Sequence, residues 1–118
     1  MIYYACKNTI LVYDYEQHKI LNCLNGHTGR VNGVEMLDTD DSTALCTVDS
    51  DKSIIIWSTL NVNSLEWNKQ IFSNAHDAEI NMVTSTRFKD SLYIATFWLN
   101  GVLKIWKTCE IKAKEDIS

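Results

Sequence analysis

Gly26-His27-Thr28-Gly29-Arg30-Val31-Asn32 opens a stretch that closes, 30 residues after its histidine, on Ile54-Ile55-Ile56-Trp57. Ala75-His76-Asp77-Ala78-Glu79-Ile80-Asn81 opens another, which closes at the same interval on Leu103-Lys104-Ile105-Trp106. A shift of 49 lays one on the other and pairs Val31 with Ile80, Asn32 with Asn81, Thr47 with Thr96, Asp51 with Asn100, Ile54 with Leu103 and Ile56 with Ile105. The copies agree in polarity almost position by position, so the chain is built on a repeat.

Around these anchors, short runs rich in Ile, Val, Leu, Tyr, Trp and Thr alternate with clusters of Asn, Asp, Gly and Ser, and helical spacing of apolar positions is hard to find. Strands are expected at residues 3–7, 10–15, 19–24, 31–37, 44–48, 53–58, 66–72, 80–88, 92–97 and 102–107, in groups of three, four and three. The runs SIIIWS (53–58) and LYIATF (92–97) are apolar on both faces, as a sheet covered on both sides requires. A repeat of this length that opens at Gly-His and closes on Trp belongs to arrays in which each copy supplies one four-stranded propeller blade. The expected fold is therefore all-β, a partial propeller of about two and a half four-stranded antiparallel blades that does not close. Residues 2–25 would form an incomplete first blade, 26–74 a complete one, 75–107 a third without a clear outer strand, and 108–118 a charged tail. The turns at 48–53 and 97–102 each join two strands, with Gly101 able to supply positive φ.

At 118 residues the chain is expected to be one domain. Its 11 basic and 15 acidic residues give a net charge of −4, without the concentrated positive field that holds phosphate backbones or anionic lipid. Direct nucleic-acid or membrane contact is not expected. No apolar run approaches the roughly 20 residues that span a bilayer, and residues 1–8 hold no basic segment followed by an apolar stretch. The chain reads as cytoplasmic, with the nucleus as a second compartment. Cys6, Cys23, Cys46 and Cys109 are scattered without a CxxC pair and are expected to be reduced and buried. Besides them stand only His18, His27 and His76, so no cluster has metal-ligand spacing, and neither metal nor cofactor is expected. Asp38, Asp40, Asp41, Asp49 and Asp51 lack the spacing of a calcium loop and read as solvated turns.

The chain resembles the WD40 repeat family through Gly26-His27, the turn residue Asp51 six positions before Trp57, and Thr47 four before that aspartate, a resemblance covering residues 2–107. It implies that a tryptophan N–H bonds to a hydroxyl, the hydroxyl to a histidine, and the histidine to the turn aspartate. Carried over, the middle blade holds His27, Thr47, Asp51 and Trp57, and the next holds His76, Thr96, Asn100 and Trp106. Buried polar groups are costly unless paired, and a closed chain of them specifies register. Asn100 would replace a charge-assisted bond of about 1.5–3 kcal/mol by one of about 0.5–1.5 kcal/mol, so Asn100→Asp is expected to raise the melting temperature. The first blade has Tyr13-Asp14 where the others have Trp57-Ser58 and Trp106-Lys107, and its network would be incomplete. Hydroxyl, imidazole and carboxylate also make a nucleophilic triad. Against a hydrolase stand Thr47's place in mid-strand, the lack of a glycine-rich elbow, and recurrence of the trio in the following blade.

The stretch through the first Gly-His is more specific. Tyr13-Asp14, Lys19-Ile20-Leu21 and the run LNGHTGRVN (24–32) resemble the opening repeat of the Elongator complex subunit 2 family. That resemblance implies a non-enzymatic scaffold built of two propellers, in an assembly that modifies wobble uridines of transfer RNA while another subunit performs the chemistry. Its partners would be the largest and catalytic subunits. The chain is far shorter than members of that family and stops within its third blade, so a fragment of a longer product is expected. The alternative is an adaptor of another complex, in ubiquitin ligation or vesicle traffic.

Two and a half blades leave apolar sheet faces uncovered at both ends, which points to self-association or to cover by another chain. The start of each innermost strand would line the channel mouth, setting Arg30 and Asn32 beside Glu79 and Asn81 as candidate partner-binding residues. Opposite charges there would equally well pair with each other.

Overall fold

A computed structural model of the chain describes residues 1–40, 42–99 and 101–108 with their side chains, and the backbone of 112–117. Eleven strands succeed one another: β1 (Ile2–Cys6), β2 (Thr9–Asp14), β3 (Lys19–Asn25), β4 (Val31–Leu37), β5 (Thr43–Asp49), β6 (Ile54–Thr59), β7 (Asn68–Phe72), β8 (Met82–Phe88), β9 (Ser91–Trp98), β10 (Val102–Lys107) and β11 (Lys112–Ile117). They form three antiparallel sheets in chain order, β1-β2-β3, β4-β5-β6-β7 and β8-β9-β10-β11. The fold is an all-β partial propeller that does not close into a ring.

Local chemistry explains the hairpins. In the β9–β10 turn Gly101 takes φ 93°, and its counterpart in the β5–β6 turn, Lys52, takes φ 71° without a glycine's freedom. Lys89 and Asp90 make the β8–β9 turn with φ 48° and 64°, which matches the twist of the strands they join. Register follows from these turns: Thr47 lies opposite Ile55 and Leu45 opposite Trp57, while Thr96 lies opposite Lys104 and Ile94 opposite Trp106. A register shift between Val31 and Gly33 leaves Asn32 as a bulge at the start of β4, free to turn toward the neighbouring sheet.

The sheets stack face to face. Between the first two lie Ile10, Val12, Leu24, Val31, Leu45, Ile55 and Trp57; between the second and third lie Leu37, Ala44, Cys46, Val48, Ile54, Ile80, Leu92, Ile94 and Trp106. Every residue of β5 from Ala44 to Asp49 is buried, because successive side chains face opposite neighbours and both faces are covered. Polar ties fix the second junction. The Glu35 carboxylate accepts bonds from both the backbone N–H and the hydroxyl of Ser85 at 2.8 Å, and Arg87 bonds Asp38.

Beyond the third sheet, the row Met82, Phe97 and Leu103 crosses an open face, and beyond the first, Ile2, Tyr13 and Ile20 do the same. Met82 is 60% and Ile20 56% exposed. Val48 and Ile54, which correspond to Phe97 and Leu103 one repeat earlier, are buried against the third sheet.

The structure corrects the expectation for the end of the chain. Residues 112–117 do not form a tail: β11 pairs with β10, Leu103 opposite Ile117 and Lys107 opposite Lys112, so the third sheet has four strands. An outermost strand holds by its backbone and needs no apolar alternation. In the second sheet the outermost strand, β7, has four exposed residues of five.

Candidate functional site

The Gly26-His27 turn delivers an imidazole onto the face of β5 that carries Thr47 and Asp49. Trp57 Nε1–H donates to Thr47 Oγ1 at 2.8 Å, Thr47 Oγ1 meets His27 Nε2 at 2.5 Å, and His27 Nδ1 meets Asp49 Oδ2 at 2.7 Å. With a neutral ring the donors run one way: indole N–H to hydroxyl, hydroxyl O–H to Nε2, Nδ1–H to carboxylate. The remaining oxygen of Asp49 accepts the backbone N–H groups of Asp51 and Ser53 at 2.9 and 2.8 Å, which ties the β5–β6 turn into the network.

The carboxylate is therefore Asp49 and not Asp51, the residue that the WD40 resemblance implies. Residues two apart on a strand lie about 6.6–6.8 Å apart on one face, a span that an imidazole with one bond at each nitrogen bridges. Asp51 is four residues from Thr47, beyond the end of β5, exposed in the turn, and it accepts a bond from the Thr28 hydroxyl. Its expected place among solvated turns holds, as it does for exposed Asp38 and Asp40, but Asp49 is fully buried; Asp41 lies outside the described residues.

The third sheet repeats part of the arrangement. Trp106 Nε1–H donates to Thr96 Oγ1 at 2.9 Å, and Thr96 Oγ1 meets His76 Nε2 at 2.6 Å. The counterpart of Asp49 at a shift of 49 is Trp98, and Asn100 lies outside the described residues. The reasoning behind Asn100→Asp assumed that Asp51 held His27, and it falls with that assumption.

Electrostatics follow from sealing. His27 is 4% exposed and Thr47 and Asp49 are fully buried. Burial lowers the His27 pKa more than the bond to Asp49 and its negative charge raise it. A substrate could reach Thr47 only by opening the sheet, so hydroxyl, imidazole and carboxylate here cross-link strands.

Of the cysteines expected to be buried, Cys46 is, and burial followed by the Glu35 charge pushes its thiol far above the ordinary range. Cys6 and Cys23 are exposed, because β1 and β3 belong to the first sheet, whose outer side no sheet covers among the described residues; Cys109 lies outside them.

The rim residues are arranged differently from the expected Arg30 to Glu79 pairing. The Asn32 bulge donates to Glu79 Oε2 at 3.3 Å and to the Ile80 carbonyl at 3.0 Å, and Asn81 Oδ1 accepts the backbone N–H of Leu99 at 2.9 Å. Asn32 thus ties the junction, whereas Asn81 holds the β9–β10 turn of its own sheet. Arg30 is exposed, and its backbone is held by Ser50 from both sides, N–H to Ser50 Oγ and carbonyl from Ser50 N–H, each at 2.9 Å. Sequence reasoning placed Asp49 in a solvated turn and passed over Glu35 and Ser85. The first could have been found from its two-residue offset to Thr47, whereas the junction pair is set only by how sheets stack.

No family model matches the chain. It is 24% identical over 110 residues to Elongator complex protein 2 of Danio rerio, an alignment that takes in 90% of this chain. The chain spans 13% of the length of that protein. This similarity supports a WD40-like relationship, in keeping with three stacked antiparallel sheets, two of them carrying a buried indole, hydroxyl and imidazole in contact.

Proposed function

We propose that the chain is a non-enzymatic protein-interaction module, a set of WD40-like blades from a scaffold subunit of an Elongator-like assembly. The observation that carries this reading is the sealing of the tetrad. A trio with the composition of a catalytic triad lies where nothing can reach it, and its hydroxyl, imidazole and indole recur in the next blade, as a structural cross-link does. The uncovered apolar faces of the first and third sheets suit a module whose ends are covered by further blades or by other subunits. In such an assembly the chain would support modification of wobble uridines of transfer RNA from the cytoplasm or the nucleus, and its partners would be the largest and catalytic subunits.

Co-expression of the tagged chain with those two subunits, followed by size-exclusion chromatography, tests the proposal. Co-elution at fixed stoichiometry is expected, with no hydrolysis of ester or peptide substrates by the chain alone. Elution apart from both subunits would overturn the Elongator reading, and stable co-elution with ubiquitin-ligase or vesicle-coat subunits instead would establish the adaptor alternative.

A further inference from the structure

Lys7 sits with Asn8 in the β1–β2 turn, across the junction from Thr28, Gly29 and Arg30, and these five residues line a cleft of about 430 Å³. Both walls are fixed. The Val31 N–H donates to the Lys7 carbonyl at 2.8 Å, and Asn8 Nδ2 donates to the His27 carbonyl at 3.3 Å. On the other side, a Cβ placed on Gly29 would lie 2.7 Å from Ser50 Oγ and 2.8 Å from the Asp51 backbone N, so the loop is pressed against the β5–β6 turn. Lys7 and Arg30 are both exposed, and among the described residues neither side-chain cation has an ion-pair partner. Asp51, the acid next to this loop, is engaged by the Thr28 hydroxyl.

The repeat supplies an internal control. The Ile80 N–H donates to the Asp49 carbonyl at 3.1 Å, the counterpart of the Val31 bond to Lys7, so the second junction has the same backbone frame. There the positions of Thr28 and Arg30 are taken by Asp77 and Glu79. Two junctions with one frame and opposite charge mean that the frame does not demand the cations. Charge at the first junction is available for recognition, in a chain whose net charge is −4.

We propose that this cleft binds an acidic segment of a partner protein, with Lys7 and Arg30 clasping its anionic side chains. The inference deepens the scaffold reading, on which it rests, by naming the chemistry of one partner. Two cations carried on a fixed backbone frame serve a short anionic group with little backbone reorganisation. A nucleic-acid backbone that continued along the rim would run from Lys7 and Arg30 into Asp77 and Glu79, which repel it.

Fluorescence anisotropy with the full chain tests the site. The probes are a labelled peptide with four consecutive glutamates, its glutamine version, its phosphoserine version and a single-stranded RNA decamer. The glutamate peptide should bind with an affinity that falls with salt, the glutamine peptide should bind at least about tenfold more weakly, and the double variant Lys7→Glu, Arg30→Glu should lose about tenfold or more. Glu79→Lys should leave or strengthen binding. Tighter binding of the phosphoserine peptide, competed by inorganic phosphate, supports the cleft with phosphate as its source of charge; tighter binding of the glutamate peptide supports it with carboxylates. No binding of either anionic peptide, equal binding by the double variant, or tighter binding of the RNA overturns the proposal. Should the double variant lose its cooperative urea transition, Arg30→Gln takes its place, with about a threefold loss expected. Co-elution with Elongator subunits that persists in the charge variants, without peptide binding by the native chain, would remove the cleft and leave the scaffold reading standing.

Discussion

Asp49, not the tryptophan that marks the repeat, is the residue on which the middle sheet's polar core turns. Its one oxygen holds His27 while the other holds the backbone of the following turn. Removing the charge leaves a buried imidazole with a weaker acceptor, so Asp49→Asn should destabilise the chain by about 3 kcal/mol, whereas Asp51→Asn at the exposed turn should cost under about 1 kcal/mol. Urea unfolding of the two variants compares them directly, and equal losses would return the role to Asp51. His27 gives a second test. Its pKa is lowered from the ordinary 6.5 by burial, so below that value the unfolded chain binds more protons than the folded one. The sign is fixed: stability is full above about pH 6.5 and falls as the pH drops toward the folded pKa. Melting curves should shift down between about pH 7.5 and 5.5, and the ring should titrate below a free imidazole in proton NMR. A melting point that climbs on acidification would contradict the assignment.

At the scale of elements, quasi-equivalent turns expose a local conflict. Gly101 and Lys52 occupy one position of the repeat, both with positive φ, and only the glycine does so without steric cost. Lys52→Gly should therefore stabilise the β5–β6 hairpin by about 0.5–1 kcal/mol after the added entropy of the unfolded chain, raising the melting temperature by a few degrees. Calorimetry checks it, and a lower melting temperature would show that the Lys52 side chain contributes more than its backbone conformation costs. The outer strands teach a related lesson. β7 and β11 are strands because the inner three leave a row of unpaired backbone groups, and pairing satisfies that row whatever the side chains are. The sequence of β7 reads as surface because four of its five residues are exposed.

At the scale of the molecule, the stack ends on two apolar faces that repeat the pattern of its buried ones. Phe97 and Leu103 stand where Val48 and Ile54 stand one repeat earlier, yet they are only half-buried and among the described residues no sheet covers them. The isolated chain should self-associate as its concentration rises, and the pair Met82→Lys, Ile20→Lys should suppress this in sedimentation velocity. Both side chains are more than half exposed, so their replacement should change stability by less than about 0.5 kcal/mol each. A wild-type chain that stays monomeric at high concentration would show that these faces tolerate water.

The sequence by itself determined the repeat and the β class, because a fixed interval between histidine and tryptophan and alternation along strands are local regularities. Most strand positions were legible for that reason, and the resemblance to WD40 repeats implied His27, Thr47 and Trp57, three of the four members of the buried network. What only the tertiary structure decided were choices between residues that local pattern treats alike. Asp49 was preferred to Asp51 by the reach of an imidazole across one strand face, Asn32 rather than Arg30 met Glu79 by a bulge, and residues 112–117 became a strand by an open edge beside them. Each of these depends on distances between segments far apart in the chain, and such distances are set when sheets stack.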